Sequence, residues 1–383
     1  MSTTISFTSP VHGGLDNLVN RIVPAESRWN DLAKVAVNET DRTTLYRIAD
    51  GTLSPLTGPM GKADYDLVLA KAGIERGGKL WAWGIPTILP VTDAEAAAMA
   101  GGGEFALSDE NGVFGVIQVS EVYDWTKEDF LKGVYGTERT DHPGAGLWLG
   151  DERTKLVAGE ISLKAYADER DFVAYINSAE ATRALIQAEG WEQSIAFQTR
   201  NPLHRAHEYA LVYGAEVILR ETGKRTGVVL NPLVGQLKGD DVPAATRMQT
   251  YIALLENQLL GEGDKDAELW SSKGQDLTAQ AKLVGLDMRM YYGGPREALM
   301  HAIYRQNHGF SHFIIGRKHA DAPYADGSAI WGDFDAQTIF ETVEGELAIQ
   351  NVNVGFAAYF EELGKVGLME ENKHNTSVFI SGT

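Results

Sequence analysis

From residue 191 onward the chain alternates short apolar runs with longer amphipathic stretches. Ser194-Ile195-Ala196-Phe197 reads as a strand and 203–221 as a helix; Gly227-Val228-Val229-Leu230 is again a strand, and 243–260 is a helix opened by proline at its first turn. The pattern repeats with a third strand around 286–291, a second proline-initiated helix over 295–307, and the strand His312-Phe313-Ile314-Ile315. Four strands separated by helices predict an α/β unit with a parallel, doubly wound sheet, in which ligands sit beyond the carboxyl ends of the strands where strand order reverses. Before residue 165 the rhythm differs: short β-type runs such as 81–91 and 113–119 lie between breaks at Gly101-Gly102-Gly103 and His142-Pro143-Gly144. This predicts a mostly β unit with a few helices, one over 94–100. Beyond Trp331 one helical stretch, 335–343, precedes glycine-punctuated strands. The expected division is therefore 1–165, 166–330 and 331–383, without internal repeats or low-complexity tracts.

Composition narrows the chemistry. The 383 residues carry 34 Lys+Arg against 53 Asp+Glu, a formal charge of −19, which argues against a nucleic-acid partner because phosphate backbones are held by clustered cations. At 44 % hydrophobic residues the chain can bury a sizeable core. The absence of cysteine excludes disulfides, thiolate metal sites and a thiol nucleophile. No apolar run approaches a membrane span and no secretory leader is evident, so a cytoplasmic, membrane-independent protein is expected.

Three strand-to-helix loops carry the candidate chemistry. The first is Gln198-Thr199-Arg200-Asn201-Pro202-Leu203-His204-Arg205-Ala206-His207-Glu208. Two imidazoles three residues apart share one helical face, and a helix amino terminus favours an anion, so the loop suits a phosphate without a glycine-rich cradle. Metal binding by this pair is disfavoured, since no third ligand is in view and Glu208 points off that face. The second loop, 231–243, offers Gly235, Gly239 and Lys238, with Arg247 one turn into the following helix; its signal is weak alone. The third, Gly316-Arg317-Lys318-His319-Ala320, places cations at a strand's carboxyl end in an otherwise acidic chain, and Tyr292-Gly293-Gly294-Pro295-Arg296 leaves room for a flat ligand or a close backbone. No GxSxG elbow, Walker-A loop or GxGxxG fingerprint occurs.

These loops in this order resemble the ATP sulfurylase (sulfate adenylyltransferase) family, whose signature QxRNPxHxAHE is matched throughout by Gln198 to Glu208. Similarity continues through Asn231-Pro232-Leu233-Val234-Gly235, Tyr292 to Ala298 with His301-Ala302, His312 to Arg317, and the amino-terminal segments His12-Gly13-Gly14 and Leu53 to Met60. The resemblance implies a PUA-like β-rich amino-terminal domain, a Rossmann-like nucleotidyltransferase domain and a small carboxyl-terminal α+β piece. It implies the conversion of ATP and sulfate to adenylyl sulfate and pyrophosphate, with Mg2+ carried on the triphosphate, and a homo-oligomer. The residues it marks as catalytic are Thr199, Arg200, Asn201, His204 and His207. Those it marks for nucleotide are Gln198, Asn201, His204, His207, Gly293, Gly294, Arg296, Arg317 and His319, and for sulfate Gln198, Arg200 and the backbone at Ala320. Where the family usually reads GRDHAG, this chain has Lys318 for the acid and Asp321 for the last glycine. That departure keeps two alternatives open: an adenylyltransferase for another oxyanion or acid, and a nucleotide-binding homologue without activity.

Overall fold

The computed structural model describes residues 6–166, 169–235 and 242–378. Lys238 and Gly239 lie outside the described residues. The amino-terminal unit is built on a five-stranded sheet ordered Lys34–Ala36, Gly103–Asp109, Gly112–Asp124, Lys155–Leu163, Pro90–Val91, whose first pair is parallel and whose other pairs are antiparallel. Helices Glu39–Ala49, Lys62–Lys71, Lys127–Tyr135 and Pro143–Leu149 pack around it, more helix than the sequence pattern predicted. Of the expected 81–91 strand only the ends pair. The intervening residues run through the core, with Trp83, Ile85 and Leu89 fully buried, and their apolar character reflects that burial rather than a ladder.

The second sheet has the order Ala281–Leu283, Thr226–Leu230, Gln193–Phe197, His312–Ile315, Gln350–Asn353, and every pair is parallel. The chain starts at the central strand, moves outward one way through two strands, then returns to build the other side. Strand order thus reverses between Gln193–Phe197 and His312–Ile315, and the loops that follow these two strands face each other across the switch point. The third strand lies at Ala281–Leu283, not at 286–291 as the pattern suggested. In that later stretch Met288, Met290 and Tyr291 pack into the amino-terminal core, and Arg289 binds Asp41. The stretch is apolar because it seals a junction between units. Gln350–Asn353 forms an edge of the same sheet, so part of 331–383 is continuous with the parallel-sheet unit.

The units are bolted together by buried polar contacts. Asp41, 2 % exposed, pairs with both Arg153 and Arg289, and Asn307 donates to the carbonyls of Thr52 and Ser54. At Gly84 an added Cβ would lie 1.8 Å from the Arg296 carbonyl oxygen, so only glycine permits this approach. The amino-terminal segment straps across the second unit: the Phe7 N–H donates to Trp191, the Ser9 N–H to Gly309, and the Ser9 hydroxyl to Phe310.

Candidate active site

The first loop leaves the central strand at Phe197 and is braced from within. The Thr199 hydroxyl donates to the Asn201 carbonyl at 2.9 Å and accepts the Asn201 N–H at 3.2 Å, while Tyr251 donates to the same carbonyl at 2.6 Å. Thr199 therefore shapes the loop through its hydroxyl. His204 stands at the amino-terminal cap of helix Arg205–Thr222, with its carbonyl accepting from the N–H groups of His207 and Glu208. One turn of helix brings the two rings into a stack with centroids 3.9 Å apart. Burial, with the neighbouring His204 adding to it, pushes the His207 imidazole down to about 4, and burial lowers His204 too. Both rings are neutral at pH 7 and each can donate one hydrogen bond to an anion.

The opposite wall is the third loop. Arg317 lies 4.3 Å from the centre of the Phe356 ring and 3.7 Å from the Asp333 carboxylate. Lys318 and Ala320 both adopt left-handed backbone, with φ of 52° and 55°, which folds the loop back so that the Asp321 N–H reaches the Lys318 carbonyl. Both substituted residues line the cleft: Lys318 at its exposed rim, its ammonium 3.5 Å from Asp333, and Asp321 deeper, with Oδ1 buried and unpartnered. Burial raises the Asp321 carboxyl above its ordinary range.

Between these walls lies a cleft of about 350 Å³ lined by Gln198, Thr199, Arg200, Asn201, His204, His207, Arg317, His319 and Ala320 among others. Four buried atoms around it have no partner: Asp321 Oδ1 and, on the first loop and its helix, Gln198 Oε1, His204 Nδ1 and His207 Nδ1. Unsatisfied buried polar atoms are costly in a protein interior, and several converging on one cleft mark a place where a polar ligand completes the hydrogen bonding. Among the described residues no group of three or more His, Cys, Asp or Glu side chains is arranged to hold a metal ion.

Gly293, Gly294 and Arg296 are not on the cleft wall. The Gly293 N–H donates to Glu297, and the Gly294 N–H donates to the Ala320 carbonyl at 3.1 Å, in a left-handed conformation packed on Trp331. Arg296 reaches away from the cleft, to the Val68 carbonyl at 2.7 Å and the Leu69 carbonyl at 3.1 Å. Both carbonyls belong to the last turn of Lys62–Lys71, a natural place for a cation, and that of Val68 also accepts the capping N–H of Ala72. Arg247 likewise braces a loop, donating to the carbonyls of Leu233 and Val242. Conversely, sequence reasoning missed Met290 and 354–357, all on the cleft wall, and Tyr292, whose hydroxyl lies 3.4 Å from Arg200. The only sequence signal for 354–357 is their place directly after a strand of the parallel sheet.

Comparison with known proteins places this geometry. The PUA-like domain family matches residues 9–165 and the ATP-sulfurylase family matches 173–383. A sulfate adenylyltransferase from Pyropia yezoensis is 65 % identical over 98 % of this chain and 90 % of its own length. One from Deinococcus deserti is 33 % identical over the whole chain and 90 % of its own length. A solved structure described as a hexameric APS kinase from Thiobacillus denitrificans shares the fold, with a TM-score of 0.70 at 20 % identity over 98 % of this chain, which spans 63 % of that one. With one family covering more than half its length and a relative at 65 % identity across nearly all of it, the chain belongs to the ATP-sulfurylase family.

Proposed function

We propose that the cleft carries out adenylyl transfer to sulfate: a sulfate oxygen attacks the α-phosphorus of ATP, the bond from that phosphorus to the β-bridging oxygen breaks, and pyrophosphate leaves with the electron pair. The chain is a nucleotidyltransferase of the sulfate adenylyltransferase group. The observation that carries the residue assignment is the convergence of three unpartnered buried atoms, on Gln198, His204 and His207, with Arg200 and Arg317 at the sheet's switch point. Sulfate is a weak nucleophile that needs no deprotonation, so the work is alignment and charge stabilisation. Gln198 and Arg200, with the backbone at Ala320, hold the sulfate. Asn201, His204 and His207 follow the charge that grows on the departing pyrophosphate, and Arg317 and His319 steady the nucleotide, with Phe356 offering its face beneath the Arg317 guanidinium.

Apart from the single carboxylate of Asp321, the side chains the cleft offers a ligand are cationic, imidazole and amide, which fits a magnesium ion that arrives on phosphate oxygens rather than in a cage of carboxylates. That ion would neutralise phosphate charge. The consumption of ATP fits a cytoplasmic setting. The chain is further proposed to work as a homo-oligomer, as its neighbour described as hexameric does, and light scattering on the full chain decides this.

The test is ATP formation from adenylyl sulfate and pyrophosphate with Mg2+. Robust turnover is expected from the wild type, with kcat reduced roughly 100- to 1,000-fold in His207→Ala, the range for removing a donor aimed at developing charge. An inert wild type overturns the reaction, and an unchanged kcat in the variant removes His207 from the transition state.

A further inference from the structure

Behind the third loop lies a row of buried ionisable groups that the transfer chemistry leaves unused. Glu297 and His301 sit one turn apart on helix Gly294–Asn307, both with fully buried side chains. The Glu297 carboxylate is fixed at both oxygens: Oε1 accepts the Tyr291 N–H at 2.8 Å and Oε2 the Gly293 N–H at 2.9 Å. Oε1 also lies 3.2 Å from His301 Nε2, close but angled away from the hydrogen-bond optimum. On the far side of the same ring, His301 Nδ1 is 2.9 Å from His319 Nε2. His319 is a cleft residue between Arg317 and Ala320, and with Nε2 engaged only its Nδ1 is left for a ligand.

We propose that Glu297, His301 and His319 form a proton-sharing string that sets which nitrogen of His319 bears hydrogen, making Glu297 and His301 positioning residues for adenylyl transfer. The logic is that of a chain of donors and acceptors with one proton too few to fill it. With Glu297 ionised, His301 offers its Nε2 hydrogen to the carboxylate, its bare Nδ1 accepts from His319 Nε2, and His319 Nδ1 is left an acceptor, the wrong polarity for an oxyanion. Adding one proton to Glu297 reverses every link. The carboxylic acid donates to His301 Nε2, His301 Nδ1 donates to His319 Nε2, and His319 Nδ1 carries hydrogen. No ring becomes charged in either state, and the one adjustment either state requires is a small turn that brings the 3.2 Å Glu297–His301 contact into hydrogen-bond alignment.

The surroundings select where that proton goes. Burial drives both His301 and His319 far below the ordinary histidine range, with Arg305 adding to it at both and His301 at His319, so neither imidazole takes up a charge. Glu297 faces Arg200 and the N–H groups of Tyr291, Tyr292 and Gly293, which favour the carboxylate, yet burial outweighs them and pushes its carboxyl up to about 7. The nearby hydroxyls of Tyr135, Tyr291 and Tyr304 are raised by burial and stay protonated. Glu297 is thus the member of this group that titrates near neutrality, and acidification through that range turns His319 into a donor.

The inference rests on the adenylyl-transfer reading of the cleft, and its test separates the two. The tautomer of His319 is followed by nitrogen NMR on the full chain with labelled histidine from pH 6 to 8.5, without substrate. In the wild type hydrogen moves from Nδ1 to Nε2 as pH rises through about 7. In Glu297→Gln, which cannot titrate, the tautomer is fixed. Should that variant fail to fold, His301→Gln breaks the string without touching the Tyr291 and Gly293 contacts and gives the same constancy. In parallel, the Kd of adenylyl sulfate weakens roughly 5- to 10-fold across this range in the wild type, about the worth of one hydrogen bond to an anion, and stays flat in either variant. A single His319 tautomer throughout in the wild type, or the same inversion in the variants, overturns the string. Failure of ATP formation alongside a normal inversion overturns the proposed reaction and leaves the string standing.

Discussion

At the level of single residues, the two substitutions in the third loop separate cleanly. Lys318 is exposed and paired with Asp333, so Lys318→Asp is expected to change KM for sulfate and kcat by less than about twofold, the modest scale of a solvated ion pair. Asp321 instead presents a buried carboxylate oxygen to a cleft proposed to take a divalent anion. Removing like charge from an anion site strengthens binding. Asp321→Gly should therefore lower KM for sulfate roughly 3- to 10-fold with kcat little altered, and steady-state kinetics with varied sulfate checks it. An unchanged KM would mean that the carboxylate never faces the acceptor. This distinction was not legible in the sequence. Which way each side chain turns depends on the left-handed backbone at Lys318 and Ala320, and neither residue type announces that conformation. The pairing of His204 with His207 was legible, because helical periodicity alone brings the two rings onto one face.

Among the elements, the helix Gly294–Asn307 shows why a motif can be recognised and its role misjudged. Its start, Gly-Gly-Pro-Arg, borders the cleft in sequence, but the helix turns Arg296 toward the last turn of Lys62–Lys71, where it clasps two carbonyls in the neighbouring unit. Arg296→Met keeps much of the apolar stem and removes both bonds. It is expected to cost about 2 kcal/mol, in the range for hydrogen bonds from a charged group, while kcat for ATP formation changes less than about twofold. Denaturant unfolding alongside the activity assay reads both; a large fall in kcat at unchanged stability would return Arg296 to the nucleotide. The strands were found wherever an apolar run was both short and flanked by a helix, as at His312–Ile315. They were misplaced where apolar residues cover a junction, as at Met288 and Met290, because periodicity reports burial and not its partner.

For the molecule as a whole, buried histidine dominates the response to acid. His12 and His207 are pushed down to about 4 by burial, and His301, His308 and His319 lie well below the ordinary range. Above about pH 6.5 these rings are neutral both folded and unfolded, and their contribution is complete. Below that, the unfolded chain binds protons that the folded chain refuses until about pH 4 or lower, so stability drains between those limits. Glu297 works in the opposite sense from pH 7 to 4.5, joined by Glu208, Glu216 and Asp321, whose carboxyls burial also raises. The histidines outnumber them, because burial lowers His204 and His312 as well. Tm is expected to fall about 5–10 °C per pH unit between pH 6.5 and 4.5, measured by calorimetry at constant ionic strength. A flat Tm there would show that these rings are hydrated.

The amino-terminal strap sets an order on the birth of the molecule. Ser9 finds its partners at Gly309 and Phe310, and the His12 N–H finds its own at Asn307. A ribosome working at about 5–20 residues per second has made the first dozen residues many seconds before their docking surface exists. A stretch made so early relative to its partners is therefore among the last to settle, and the loop it closes spans most of these 383 residues. A nascent chain halted short of residue 307 can assemble the amino-terminal sheet but must leave the Ser9–His12 stretch untied, a handle by which a chaperone or protease could tell a finished copy from an interrupted one.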